Sequence, residues 1–301
     1  MISRSNDPGN SVRGRLRRLL INSLLRVVAI LLVAGVAMML IRYGPGFETD
    51  DRDLDPTMSA ETRTAQHNQR LAQGRLLEYS KKFVSGALHG DLGESESLGM
   101  PVRELIQERG MATLRILAAG LALAWVVGLA WAIGLVLWQF PALASASTLA
   151  NACLLCLPTA AIAALMLNGD WPAETVLAVA LLPKVFQVTR GLLGQAIQHS
   201  EVLAARSRGL RTFRILGWYL WPRVAAPMLA WFAATAGLAI GAIVPIEVVC
   251  DVPGLGQLAW KAAQSRDLPV LVVLTLMVAV IIQISTSASN LMAERLRGER
   301  A

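Results

Sequence analysis

Apolar residues gather in six long stretches of this chain, and polar residues gather between them. A helix needs about 20 apolar residues to cross a hydrocarbon core of about 30 Å. Residues 19–41, 116–138, 142–168, 175–193, 224–246 and 269–293 come near or exceed that length, so the pattern predicts an all-α, polytopic membrane protein with six transmembrane helices. Residues 116–138, 142–168, 224–246 and 269–293 contain no charge. The first span carries Arg26 near its entry end, where a long side chain can snorkel to the interface. Residues 175–193 hold Pro183, Lys184 and Arg190, which a span tolerates when neighbouring helices satisfy the broken backbone. The opening could be mistaken for a signal peptide. Its apolar core is long for one, however, and Arg42-Tyr43-Gly44-Pro45-Gly46 offers no small-x-small cleavage pattern, so residues 19–41 are expected to remain as a helix.

The polar segments set the orientation. The first 20 residues hold five Arg against one acid, and residues 190–223 hold six Arg against Glu201, which places both in the cytoplasm. Residues 43–111 hold eight basic and twelve acidic side chains, which suits the outside. Six spans then leave both termini cytoplasmic. The expected organisation is a basic segment (1–18), a first helix (19–41), an extracytoplasmic region (42–115), a five-helix core (116–293) that includes a cytoplasmic loop (194–222), and a cytoplasmic tail (294–301). Within the external region, the apolar periodicity of 76–88 predicts a helix along the outer interface, and Pro101 can open another that leads into the second span. Trp138, Trp171, Trp218 and Trp221 fall near predicted span ends, where an amphipathic ring is most stable.

Composition narrows the function classes. With 54% apolar and 16% charged residues and a mean hydropathy of +0.50, the chain does not fit a soluble enzyme, and its net charge of +7 fits basic membrane loops rather than nucleic-acid binding. Cys153 and Cys156 have redox-motif spacing, but inside an apolar run a thiolate is disfavoured and they fill space. His67, His89 and His199 sit in separate loops and make no metal site. No GxxxxGK[ST] phosphate cradle occurs, so any ATP that drives this protein must be used by another polypeptide. Lys184, an amine inside a span, and Glu247, at the outer end of the fifth, are candidates to line a translocation path, with structural pairing and loop anchoring as the bland alternatives.

The loop Ser200-EVLAARSRGLRTFRILGWYLWPRVAAP carries the most information. Glu201, Ala204 and Ala205 form a small-residue helical turn that Gly209 interrupts, and Arg206, Arg208, Arg211 and Arg214 surround the break. Leu203, Leu210, Phe213 and Ile215 would offer an apolar side to a partner groove. The order Glu201-x-x-Ala204-Ala205-x-x-x-Gly209, followed by Pro227, resembles the "EAA" loop of the membrane permeases of ABC importers. Three further segments resemble the dipeptide/oligopeptide/nickel subfamily, in its B-type permease: Arg17-Arg18-Leu19-Leu20 with the exit Tyr43-Gly44-Pro45-Gly46, Gly90-Asp91-Leu92-Gly93-Glu94-Ser95 before Pro101-Val102, and Glu247-Val248 with Pro253-Gly254-Leu255-Gly256 and Arg266-Asp267-x-Pro269. The chain departs from that subfamily in the connection 169–174, which is shorter, and in Cys250, which stands where an aromatic residue is usual.

That resemblance implies a MetI-like permease fold in a bacterial plasma (inner) membrane. It implies a subunit that forms half of a translocation pathway for peptides or related small solutes, without an ATPase site. The loop with Glu201, Ala204, Ala205, Arg206, Gly209 and Pro227 would couple to the ATPase. The implied partners are a second related permease, two ABC ATPase subunits that use the ATP, an extracytoplasmic solute-binding protein and the bilayer. Two other classes stand beside this reading. An ion-coupled secondary transporter would need carboxylates within its spans and an internal repeat, and a permease-derived scaffold would have lost transport.

Overall fold

The structure is a computed structural model that describes residues 85–86, 89–138 and 141–298, together with positions 28, 32, 35, 36 and 39. The predicted first span and interfacial helix lie outside the described residues apart from those few positions, as does the exit sequence at Tyr43. Among the described residues the regular structure is helical, with one isolated β-bridge between Glu94 and Pro101.

Helix α1 (Val102–Trp138) begins directly after Pro101 and runs without a break through the predicted second span. At about 1.5 Å per residue it is longer than the bilayer core, so it carries its register from the polar segment before it into the predicted span. The single span expected at 142–168 is instead a bent pair, α2 (Pro141–Cys156) and α3 (Thr159–Leu167), meeting at 98°. Pro158 explains the break. It has no N–H to continue α2, it disfavours the helical region for Leu157, and it sits extended at φ −62°, ψ 145° as the residue before α3.

Helix α4 (Ala173–Ile197) passes through Pro183 as one helix and is the most buried of the candidate spans. That burial accounts for its polar content, since its sides face other helices rather than lipid. Gly120 and Gly128 of α1 let the two helices approach closely: a Cβ at Gly120 would come within 2.9 Å of Leu177, and one at Gly128 within 3.0 Å of Val185. The segment predicted to be cytoplasmic follows as α5 (Ser200–Ser207), the short α6 (Thr212–Ile215) and a π-helical turn (Leu216–Leu220), which leads into α7 (Trp221–Val249). A helix α8 (Leu255–Gln264) and the final α9 (Leu268–Gly298) complete the described fold.

By length and composition four helical stretches can cross a membrane, or up to five when the bent pair counts as one. Three buried clusters hold the elements together. One joins α1, α3, α4 and α7 through residues such as Ala124, Ile162, Leu181 and Ile243. A second joins α5 to α1, α4 and α7 through Val202, Ala205, Leu135, Leu193 and Val224. The third joins the start of α1 to α8 and α9 through Leu105, Leu258 and Val270.

Candidate functional site

The loop helix α5 is built from its own sequence. Glu201 stands in its first turn and Arg206 in its last, each favourable to the helix dipole. Gly209 takes a left-handed φ of 70°. Its N–H donates to the Arg206 carbonyl at 2.9 Å, and the Leu210 N–H donates to the Ala205 carbonyl at 3.3 Å, which is the Schellman arrangement that closes a helix. Leu210 packs on the cluster that contains Val202 and Ala205, so the apolar contact that accompanies such a cap is present. This explains the motif physically: Ala205 must be small and buried, and Gly209 must accept a positive φ.

One side of α5 is fixed to the bundle and the other is open. Val202 and Ala205 are buried, and the Arg223 guanidinium of α7 donates to the Glu201 carboxylate. That hydrogen bond, and then the charge of Arg223, hold the Glu201 carboxyl below its ordinary value. Leu203 and Ala204 are exposed, Phe213 is 78% exposed and Trp218 79%. The apolar face expected from Leu203, Leu210, Phe213 and Ile215 is therefore divided. Ile215 is buried in the bundle, Leu210 is half-buried, and Leu203 and Phe213 point outward. Pro227 lies inside α7, past the loop.

At the other end of the fold the motifs predicted to be external come together. Glu247 at the end of α7 is 0% exposed. Its Oε1 accepts from the Thr113 hydroxyl of α1 at 2.6 Å, and its Oε2 accepts from the backbone N–H of Gly256 at 2.7 Å and of Gln257 at 3.1 Å, at the start of α8. The Leu255 N–H in turn donates to the Thr113 Oγ1 at 2.7 Å. A carboxylate thus caps α8 from beneath. The glycines of Pro253-Gly254-Leu255-Gly256 are required by it, because a Cβ on Gly254 would overlap the Glu247 carboxylate and one on Gly256 would come within 2.9 Å of Val244. Glu247, named as a candidate for the translocation path, is enclosed under this loop with its oxygens already engaged. The structure gives it the anchoring position.

The segment Gly90-Asp91-Leu92-Gly93 closes on the same region. The Asp91 Oδ1 accepts from the Gly93 N–H at 2.9 Å, and Leu92 packs beside the cluster of Val102, Leu258 and Val270. Asp267, 1% exposed, precedes α9 and receives the Ser95 hydroxyl at 2.5 Å, the Ser97 hydroxyl at 2.8 Å and the Ser97 N–H at 3.0 Å. Asp251 and Arg266, on either side of α8, hold left-handed φ values of 49° and 57°, a conformation kept by the contacts around it. Thr113 and Gln257 were not singled out from the sequence, whereas Ser95 and Asp267 stood in the segments Gly90-Asp91-Leu92-Gly93-Glu94-Ser95 and Arg266-Asp267-x-Pro269. A lone Thr113 in an apolar helix had no legible signal.

Lys184 is half-buried on α4 and has no ion pair among the described residues. The cavity of about 340 Å³ between α2 and α4 is lined by Arg190 instead, the other charged residue of the span predicted at 175–193.

A helical bundle with a capped loop helix on one end and a buried polar clamp on the other invites comparison with transporters. Residues 120–298 match the family described as "Binding-protein-dependent transport system inner membrane component". The chain belongs to this family. The oligopeptide transport system permease protein OppB of Escherichia coli (strain K12) is 23% identical over 278 residues, covering 85% of this chain and 89% of OppB. The nickel import system permease protein NikB of Staphylococcus aureus (strain USA300) is 24% identical over 289 residues, covering 88% of this chain and 86% of NikB. The fold is similar to a chain in an inward-facing structure of the MetNI methionine ABC transporter, with a TM-score of 0.58 at 16% identity over 64% of this permease and 97% of that chain. The permease is a multi-pass membrane subunit of an ABC importer, and neither a secondary transporter nor a scaffold accounts for this match.

Proposed function

We propose that this permease forms half of the translocation pathway of an importer for short peptides. A second related permease completes the pathway, two ATPase subunits bind and hydrolyse the ATP, and an extracytoplasmic binding protein delivers the solute. The chain itself binds no cofactor and has no ATPase activity. It sits in a bacterial plasma membrane with both termini in the cytoplasm, so that α5 faces the ATPase and α8 faces the binding protein.

The observation that carries the coupling role is the division of the α5 segment. Val202, Ala205 and the Glu201–Arg223 pair tie it to the spans, while Leu203 and Phe213 stand outward as anchors for a groove on another protein. A rigid capped helix tied in this way passes a rigid-body movement of the ATPase to α4 and α7 rather than absorbing it. The peptide assignment is supported by relatives: besides OppB, a putative peptide permease protein of Brucella ovis (strain ATCC 25840 / 63/290 / NCTC 10512) is 25% identical over 238 residues, 69% of this chain and 75% of that protein.

Purified alone, the chain should hydrolyse no ATP. Reconstituted in proteoliposomes with its partners, it should support ATP-dependent uptake of a labelled tripeptide. ATP hydrolysis by the chain alone would overturn the subunit assignment, and uptake of Ni²⁺ with no peptide uptake would replace the solute.

A further inference from the structure

The cavity between α2 and α4 has the makings of a solute subsite. Thr148 and Asn151 reach it from α2, and Phe186, Gln187 and Arg190 from α4, around a volume of about 340 Å³. That volume lies at the low end of what small-ligand pockets occupy, about 300–1,000 Å³. The Arg190 guanidinium is oriented from two sides, donating to the Thr148 hydroxyl and lying 6.0 Å from the centre of the Phe186 ring. It carries no carboxylate partner among the described residues. The amides of Asn151 and Gln187 likewise have no hydrogen-bond partner among the described residues, and no side chain fills the space beside Gly191.

Depth makes this grouping unusual. Asn151 is ten residues into α2 and Gln187 fourteen into α4, so at about 1.5 Å per residue they stand about 15 and 21 Å from the starts of these apolar helices. Unpaired amides and a guanidinium on helices that cross a membrane face a water-filled path or a polar partner rather than lipid. The chemistry on offer is a fixed cation beside two groups that each donate and accept. A guanidinium with open donors matches a carboxylate bidentately, and a primary amide matches the N–H and C=O of a peptide unit. A lipid phosphodiester would use the cation but leave the amide acceptors unpaired.

We propose that this cavity holds the C-terminal end of a peptide in transit, with Arg190 taking the carboxylate and Asn151 and Gln187 taking the adjoining peptide group. The proposal rests on the peptide-import reading above and names the contact that reading lacks. Arg190 is the specificity-determining residue, and it acts only on solutes with a free carboxylate.

The test compares initial rates of ATP-driven uptake of one tripeptide and its C-terminal amide, in proteoliposomes holding the complete transporter. The wild type should prefer the free acid. Arg190→Gln should lower uptake of the acid about tenfold while sparing the amide, so that the preference disappears, and Arg190→Lys should restore part of it. Co-purification of the ATPase should be unchanged in both variants. A wild type that does not distinguish acid from amide would overturn the proposal. So would an Arg190→Gln variant that keeps the preference or loses both substrates equally, which would return Arg190 to packing or lipid phosphate. Absence of all peptide uptake by the wild type is a separate result, since it removes the peptide reading itself.

Discussion

A carboxylate with no exposed surface is tolerated only when its lone pairs are engaged, and at Glu247 three donors from two distant segments do so. Glu247→Ala leaves the Thr113 hydroxyl and the Gly256 and Gln257 N–H groups without an acceptor. A loss of about 3 kcal/mol is expected, at roughly 1–3 kcal/mol for each unpaired group with partial relaxation, read as a lower melting temperature in detergent. Gly254→Ala should be destabilising as well, because its Cβ has no room beside the carboxylate. A Gly254→Ala protein that melts with the wild type would show that the clamp yields freely. Glu201 differs in being exposed. Its folded pKa is lowered by Arg223, so its contribution is fully present above the ordinary carboxylate range and is lost as pH falls through the lowered value. The difference in melting between wild type and Glu201→Gln should therefore be constant from pH 7 to about 5 and shrink on further acidification.

Among the elements, α5 depends on its cap more than on its length, since eight residues do not make a stable helix alone. Gly209→Pro breaks that cap twice, because proline cannot reach a φ of 70° and has no N–H for the Arg206 carbonyl. The expected outcome is loss of ATPase co-purification with the spans still folded by circular dichroism, and a Gly209→Pro permease that transports at the wild-type rate would remove the coupling assignment. Helix α4 shows the reverse situation. Pro183, Lys184 and Arg190 made it the least convincing span by composition, yet it packs against α1, α3 and α7 at the centre of the described bundle. A central helix needs less hydrophobicity than a lipid-facing one.

For the molecule as a whole, charge asymmetry gives a direct test. In a cysteine-free background, a cysteine placed at Ser59 should react with an impermeant reagent from outside intact cells, and one at Ser207 only after the membrane is opened. The reverse pattern would invert the assignment of α5 to the ATPase side and α8 to the outer side.

What the sequence determined by itself is what depends on near neighbours along the chain or on hydrophobic length. The spans predicted at 116–138, 175–193, 224–246 and 269–293, the break at Gly209 and the helix opened after Pro101 are of this kind, because bilayer thickness, positive φ and a missing N–H act wherever those residues stand. The break at Pro158 was present in the same signals, but a charge-free run on both sides concealed it. Only the tertiary structure decided which residues meet. Thr113 reaches Glu247 across 134 positions and Ser95 reaches Asp267 across 172, and no local pattern encodes either pairing. Burial then changes the chemistry, engaging the Glu247 carboxylate with Thr113 and the start of α8 and leaving Arg190 beside the cavity, because a side chain's role follows from the dielectric and the partners that packing gives it.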